Sequence, residues 1–262
     1  MERVEYGQTG IMVSRLCWGT GLMSGLRHNQ TPAESAAILW RGYELGVNFW
    51  DTADGYGTHP HVKAALEGLP RDDIVVNTKT GKKDRDSAAA DVDRFLQEMG
   101  TDYIDTLLLH GVGTVEELEA REGALEALVR ARQAGKVRAV GLSTHLSTGA
   151  IMDRCAEHPD IQVILTTVNS AGIMLENGTM AEHLPLVERC FRAGTGVCLM
   201  KTLGQDRLAH IAEEAISYNL RFPYAHSVCV GVNSGPEVEF AVEVAEKVAA
   251  EQVVPLGEAA GG

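Results

Sequence analysis

Val47-Asn48-Phe49-Trp50-Asp51-Thr52-Ala53-Asp54-Gly55-Tyr56-Gly57 begins as an apolar run and then stops at a carboxylate, a phenol and two glycines. A short run with little alternation reads as a strand buried on both faces, and such strands belong to parallel sheets whose crossovers are helices. Seven further runs of this kind punctuate the chain: Leu16 to Gly19, Ile74 to Lys79, Ile104 to His110, Val137 to Ser143, Val163 to Asn169, Gly196 to Lys201 and Ser227 to Gly231. Between them lie amphipathic stretches, at Thr31 to Leu45, Asp84 to Met99, Thr114 to Ala134, Ser147 to Glu157, Ala181 to Ala193, Asp206 to Tyr218 and Pro236 to Ala250. Thr31-Pro32-Ala33-Glu34 is a capping start, and Gly135 a stop after the third stretch. Eight strands alternating with helices through right-handed crossovers predict an α/β fold, the (β/α)8 TIM barrel. The rival is an open doubly wound sheet. Against it, the first strand runs into Gly19-Thr20-Gly21-Leu22-Met23-Ser24-Gly25, which lacks the GxGxxG spacing. Residues 1–15 precede the first barrel strand and predict a short N-terminal β-hairpin around Gly7 to Gly10, covering the barrel floor.

A chain of 262 residues that is 45% hydrophobic can bury a large core, and no compositional break divides it, so a single domain over 1–262 is expected. A formal net charge of -13 repels nucleic acid and anionic membrane, and no basic patch offsets it. Met1 to Gly10 has no basic segment followed by an apolar run, and no stretch approaches membrane-spanning length, so a cytoplasmic protein is expected. Cys17, Cys155, Cys190, Cys198 and Cys229 form an odd set without CxxC spacing, which reads as reduced thiols rather than a disulfide framework or metal site. His28, His59, His61 and His145 fall near the expected barrel mouth, but no carboxylate joins them at a metal-binding spacing, so no metal is expected. Trp18 and Trp50 alternate with inward-pointing strand residues and should face the helices as core.

In barrels of this kind chemistry sits at the carboxyl ends of the strands. Asp51, Lys79, His110, Ser143, Asn169 and Lys201 all fall at that edge, and Tyr56 follows Asp51 by one turn. Singly, each has a plain reading: an Asp that caps a loop, a Tyr that packs, a Lys that snorkels to water. Taken together they suit carbonyl reduction, which needs a hydride donor on one face of the carbonyl carbon and a proton for the oxygen. A phenol titrates near 10 when free. An adjacent ammonium is expected to lower that value, a carboxylate to keep the ammonium charged, and an imidazole to donate to the developing oxyanion. Tyr56, Lys79, Asp51 and His110 supply those roles.

The chain resembles the aldo-keto reductase superfamily. The resemblance rests on Gln8-Thr9-Gly10-Ile11-Met12-Val13-Ser14-Arg15-Leu16, on Gly46 to Gly57, on Gly100-Thr101-Asp102-Tyr103-Ile104-Asp105 leading to Leu107-Leu108-Leu109-His110, and on Gly135 to Ser143. Val197 to Gly204 and Val230-Gly231-Val232-Asn233-Ser234 extend it to the last two strands. The resemblance is to the branch whose longer members carry a ferredoxin-like extension with a cysteine cluster, and no such extension is expected in this chain. The resemblance implies an NAD(P)H-dependent oxidoreductase with catalytic roles on Asp51, Tyr56, Lys79 and His110. For the cofactor it implies Gly19, Thr20, Ser143, Thr144, Asn169, Met200, Lys201, Leu203, Gly204, Asn233, Ser234 and Glu237. Leu165 stands where relatives often have glutamine, and Met200 where many stack an aromatic ring. Family habit points to NADP. NAD stays open, because Asn233-Ser234-Gly235-Pro236-Glu237-Val238-Glu239 contains no cation to clamp a 2′-phosphate and Glu237 suits a ribose hydroxyl.

For the substrate, the resemblance implies a small-molecule carbonyl bounded by Gly21, Leu22, Gly55 and Gly111. The three glycines stand where relatives often carry bulkier side chains, so they predict an open mouth for a bulky carbonyl, or else serve tight turns only. The loop Gly111-Val112-Gly113 is short, as is the tail after the last helix. Two other functions remain open: a cofactor-binding regulatory or sensor barrel with little turnover, and a lyase using Lys79 as a Schiff base. Oligomeric state is not legible in the sequence.

Overall fold

The computed structural model describes residues 1–24 and 27–253. A two-stranded antiparallel hairpin opens the chain, β1 (Arg3–Glu5) and β2 (Met12–Ser14). Eight parallel strands follow: β3 (Leu16–Gly19), β4 (Phe49–Asp51), β5 (Val75–Thr80), β6 (Ile104–Leu109), β7 (Val137–Thr144), β8 (Val163–Thr167), β9 (Gly196–Met200) and β10 (Ser227–Gly231). They pair in chain order, and β10 closes on β3 to make a barrel. The helices outside are α1 (Pro32–Glu44), α2 (His59–Leu66), α3 (Arg85–Met99), α4 (Val115–Glu119), α5 (Glu122–Gln133), α6 (Gly149–Glu157), α7 (Met180–Arg192), α8 (Ala212–Arg221) and α9 (Gly235–Val253). This is the TIM barrel expected from the strand-helix alternation.

Two apolar layers hold it together, and they follow from strand alternation. Inward residues such as Cys17, Phe49, Val75, Leu108, Val163, Leu165 and Cys198 fill the barrel, and the hairpin adds Tyr6, Ile11 and Val13 beneath them as a floor. Asn48 stitches that floor to the wall: its amide accepts from Ser14 N at 2.8 Å and donates to Met12 O at 3.0 Å. Outward residues, Trp18 and Trp50 among them, pack under the helices with no exposure. Trp18 lies so close to α1 that a Cβ at Gly42 would fall 2.0 Å from its Nε1, so only glycine lets that helix seat. At the start of α1, Thr31 and Glu34 cap each other's backbone N–H, the reciprocal box read from the sequence.

The structure departs from the sequence reading in three places. Helix α2 was not expected, because eight residues containing a proline and two histidines carry little periodicity. The stretch 114–134, read as one helix, is broken into α4 and α5 at Arg121, whose guanidinium turns back to donate to His110 O at 2.7 Å. Strands β6, β8 and β9 stop before His110, Asn169 and Lys201, so these three stand on the loops that crown the barrel. The tail from 254 to 262, and Gly25 in the first loop, lie outside the described residues. No helix among the described residues is long and apolar enough to cross a membrane.

Candidate active site

Asp51 closes β4 in register with Asn77 of β5, and Lys79, two residues further along β5, shares the inward face of Asn77 because strand side chains alternate. Lys79 is 1% exposed and donates to Asp51 Oδ1 at 2.6 Å and to Thr52 O at 2.7 Å. Asn77, two residues earlier on β5, donates to the same carboxylate oxygen at 2.5 Å and is itself fixed by Thr106 Oγ1 at 2.6 Å. Burial works to neutralise Lys79, but Asp51 outweighs it and holds the ammonium charged, above the ordinary lysine range.

Tyr56 reaches over this pair from a 3-10 turn, Asp54–Tyr56. The Lys79 Nζ sits 5.1 Å from the ring centroid, and His110 meets the ring edge-on at 5.8 Å between centroids. On the opposite side Gly21 leaves room for the ring, since a Cβ there would stand 3.3 Å from it. Lys79 pulls the phenol's pKa down, as the sequence led one to expect. Burial and the Asp51 carboxylate together outweigh that pull, so the phenol titrates above its ordinary value and stays protonated at neutral pH. His110 is driven the other way: burial and the Lys79 charge lower it to about 4, so the imidazole is neutral.

Across the mouth the chain leaves β9 through Lys201, which adopts φ +61°, and continues through Gly204, Gln205 and Asp206, all left-handed. The Lys201 ammonium has no hydrogen bond or ion pair to another described residue, and burial lowers its pKa. The N–H groups of Thr202, Leu203, Gln205 and Asp206 likewise bond to no other described residue. A cleft of about 270 Å³ separates this turn from Tyr56. Of the residues expected at the site it brings together Gly19, Gly21, Leu22, Asp51, Tyr56, Met200, Lys201 and Leu203. Arg27, Gln205, Asp206 and Cys229 also line it, and Arg27 bridges to Asp206 at 2.5 Å.

The remaining expected residues are placed otherwise. Ser143 lies at the barrel rim, where its hydroxyl accepts from Gly111 N at 2.9 Å. Thr144 is fully buried, and its hydroxyl accepts from Leu146 N. Thr20 is buried behind the site, bonded to Asp51 O and to Thr58 Oγ1. Asn169 is wholly committed to its own loop: it donates to Ile173 O and Lys201 O and accepts from Ala171 N and Ile173 N. Its amide therefore shapes the lysine turn. At the start of α9, Glu237 accepts from Asn233 N at 2.7 Å and Ser234 caps Glu237 N at 3.4 Å. Gly55 and Gly111 border open space, where an added Cβ would touch nothing within 4 Å. His59 and His61 are not at the mouth. They lie on α2, against Thr78 and Ser35 in the helix layer.

Residues 15–260 match the model of the aldo/keto reductase family. The chain belongs to that family. Its members are oxidoreductases, and this one is similar to L-galactose dehydrogenase of Arabidopsis thaliana, 24% identical over 91% of this chain and 87% of the plant protein. D-threo-aldose 1-dehydrogenase of a Pseudomonas species is 24% identical over 76% of this chain and 69% of its own. Among solved structures, aldo-keto reductase AKR11C1 from Bacillus halodurans in its holo form superposes with a TM-score of 0.77 at 22% identity, covering 94% of this chain and 91% of that one. Within this aldo/keto reductase, sequence reading missed Asn77, Arg27 and Asp206. Asn77 alone carried a signal: it lies two residues before Lys79, on the same face of one strand, so it had to share the lysine's surroundings.

Proposed function

We propose that this aldo/keto reductase reduces a ketone or aldehyde with a nicotinamide dinucleotide, and that Tyr56 supplies the proton. The reading rests on one observation: a buried ammonium, Lys79, held between Asp51 at 2.6 Å and the Tyr56 ring at 5.1 Å, directly behind these two residues where they line a cleft. Protonated at neutral pH, the phenol is a loaded acid. As charge grows on the carbonyl oxygen the phenol proton moves to it, and the phenolate left behind is stabilised by Lys79. Asp51 keeps the lysine charged and, with Thr52 O, fixes its direction. Neutral His110 has no hydrogen bond from either ring nitrogen to another described residue and donates its N–H to the same oxygen. When bound, the dinucleotide supplies the hydride.

The residues present fit such a group. Among the described residues Lys201 is a cation with no partner, and the left-handed turn after it offers N–H groups at Thr202, Leu203, Gln205 and Asp206 that are unpaired there, the arrangement that receives a pyrophosphate. At the far end the α9 start is closed by its own cap, and the segment 233–239 brings two carboxylates and no cation. A 2′-phosphate would meet Glu237, so the geometry favours NADH over the NADPH of family habit. The open ground beside Gly55 and Gly111 suits a wide substrate. Aldoses, named in both relatives above, are the first class to try.

Titration with NADH and NADPH, followed by protein fluorescence and then by single-turnover mixing with aldoses, small aldehydes and large cyclic ketones, tests the reading. NADH is expected to bind more tightly and to be oxidised by at least one carbonyl. Binding without oxidation across the panel overturns it in favour of a sensor barrel.

A further inference from the structure

The turn that carries Tyr56 is poorly held by its own backbone. Within residues 53–57 the backbone bonds are Tyr56 N to Ala53 O and Gly57 N to Asp54 O, both internal to the turn. Glycines flank the phenol on both sides, and an added Cβ at either Gly55 or Gly57 would touch nothing within 4 Å. Something outside the turn must therefore set where the phenol stands relative to Lys79. Thr58 ties the downstream end, its hydroxyl lying 2.8 Å from Thr20 Oγ1 and 2.7 Å from Thr52 Oγ1. Upstream, Asp54 accepts from Arg94 Nη2 at 2.8 Å, and Arg94 belongs to α3.

The same guanidinium reaches the strand that carries Lys79. Arg94 donates to Asp91 at 2.7 Å and to Glu98 at 2.8 Å. Asp91 in turn accepts from Thr80 Oγ1 at 2.6 Å, and Glu98 holds His59 Nδ1 at 2.6 Å while His59 Nε2 meets Thr78 Oγ1 at 2.8 Å. Thr78 and Thr80 flank Lys79 and point outward because Lys79 points inward. Two turns of α3, from Asp91 to Glu98, thus hold both neighbours of the lysine and, through Arg94, the turn of the tyrosine. A lysine at position 94 would lack the planar fork that serves three carboxylates at once.

We infer that Arg94, through Asp54, is a positioning residue that sets the Tyr56–Lys79 geometry from helix α3. The inference rests on the proton-donor role proposed for Tyr56. Its energy as an ion pair is small, since Arg94 and Asp54 are 41% and 30% exposed. Its leverage is geometric, because a displacement of about 1 Å at a reacting group costs on the order of a hundredfold in rate.

The test compares wild type, Asp54→Ala, Asp54→Asn, Arg94→Ala and the Asp54→Ala/Arg94→Ala double variant. Single-turnover rate, KM and dinucleotide Kd are measured, together with the NOE between the Tyr56 and His110 rings in protein with labelled tyrosine and histidine. Asp54→Ala and Arg94→Ala are expected to lose roughly ten- to a hundredfold in rate, with KM and Kd changed by less than about twofold, and to weaken the NOE. The double variant should be no worse than the poorer single one. Asp54→Asn, whose amide oxygen still accepts from Arg94, should keep most of the rate and the NOE. If Arg94→Ala fails to fold, Asp54→Ala carries the test alone. A folded Asp54→Ala with wild-type rate and NOE overturns the inference, as do losses that add in the double variant or that fall equally on KM. A wild type that oxidises no dinucleotide condemns the proton-donor reading instead. The NOE still decides whether Arg94 places the ring.

Discussion

The two walls of the cleft are built to opposite rules. On the β4–β5 side every charge is already answered: Asp51 and Lys79 pair at 2.6 Å, and Asn77, Thr52 and Thr106 satisfy what remains. On the β9 side the Lys201 ammonium bonds to no other described residue, and it opens a left-handed turn in which the N–H groups of Thr202, Leu203, Gln205 and Asp206 are likewise unbonded among the described residues. A preorganised wall loses nothing by waiting and is suited to chemistry, where groups must not move as charge develops. An unsatisfied wall is suited to binding, because a ligand anion relieves its desolvated cation.

The largest way to break this contrast is Tyr56→Phe. It should lower the hydride-transfer rate by roughly 10²- to 10⁴-fold while dinucleotide Kd, read by fluorescence, stays unchanged. An equal loss in Kd would mean that the chemical wall also binds. Next comes Lys79→Met, which leaves the Asp51 charge buried without its cation. Urea unfolding should show a loss of about 3–5 kcal/mol, whereas Lys201→Met, which breaks no pair, should be neutral or slightly stabilising.

Two histidines sharpen the picture through pH. His110 and His145 are both lowered to about 4, His110 by burial and Lys79, His145 by burial and then Lys201 and Lys79. Their folded values lie below the ordinary histidine value, so the unfolded chain takes up protons first as the solution is acidified. The stability they contribute is intact above about pH 6.5, declines below it, and is fully lost once pH passes below about 4. Each contributes up to about 3 kcal/mol, which urea titrations between those limits would show. His110→Gln and His145→Gln should each reduce that dependence without abolishing it, because His183 and His226 are also lowered to about 4 by burial. The smallest effect belongs to Lys201→Ala, expected to weaken dinucleotide binding about 10- to 100-fold with unchanged hydride transfer at saturation. A slower chemical step at saturating dinucleotide would erase the division of labour between the walls.

The fold was legible because its signal is local and repeated. Eight apolar runs and the helical stretches between them each report their own burial, and the one helix overlooked, α2, is the one too short for periodicity to show. The site was legible only as residue types at strand ends. Asp51 and Lys79 announced themselves by spacing, but the sign of the Tyr56 shift did not, because burial and a carboxylate compete with the ammonium and only distances decide between them. The bracing role of Asn169 was not legible, because its partners include Lys201 O, 32 residues away in sequence.

By itself, then, the sequence determined the alternation of strand and helix, the polar groups available at the barrel mouth, and through these the family. The tertiary structure decided how the expected pairing is made: Lys79 donates to Asp51 at 2.6 Å, with Asn77 on the same oxygen at 2.5 Å, while the Lys201 ammonium bonds to no other described residue. Asp51 lies 28 residues from Lys79 and becomes its neighbour only when two strands align. Hydrophobic burial is written in short-range pattern, whereas electrostatic pairing falls off over a few ångströms of space and is settled only once the barrel has closed.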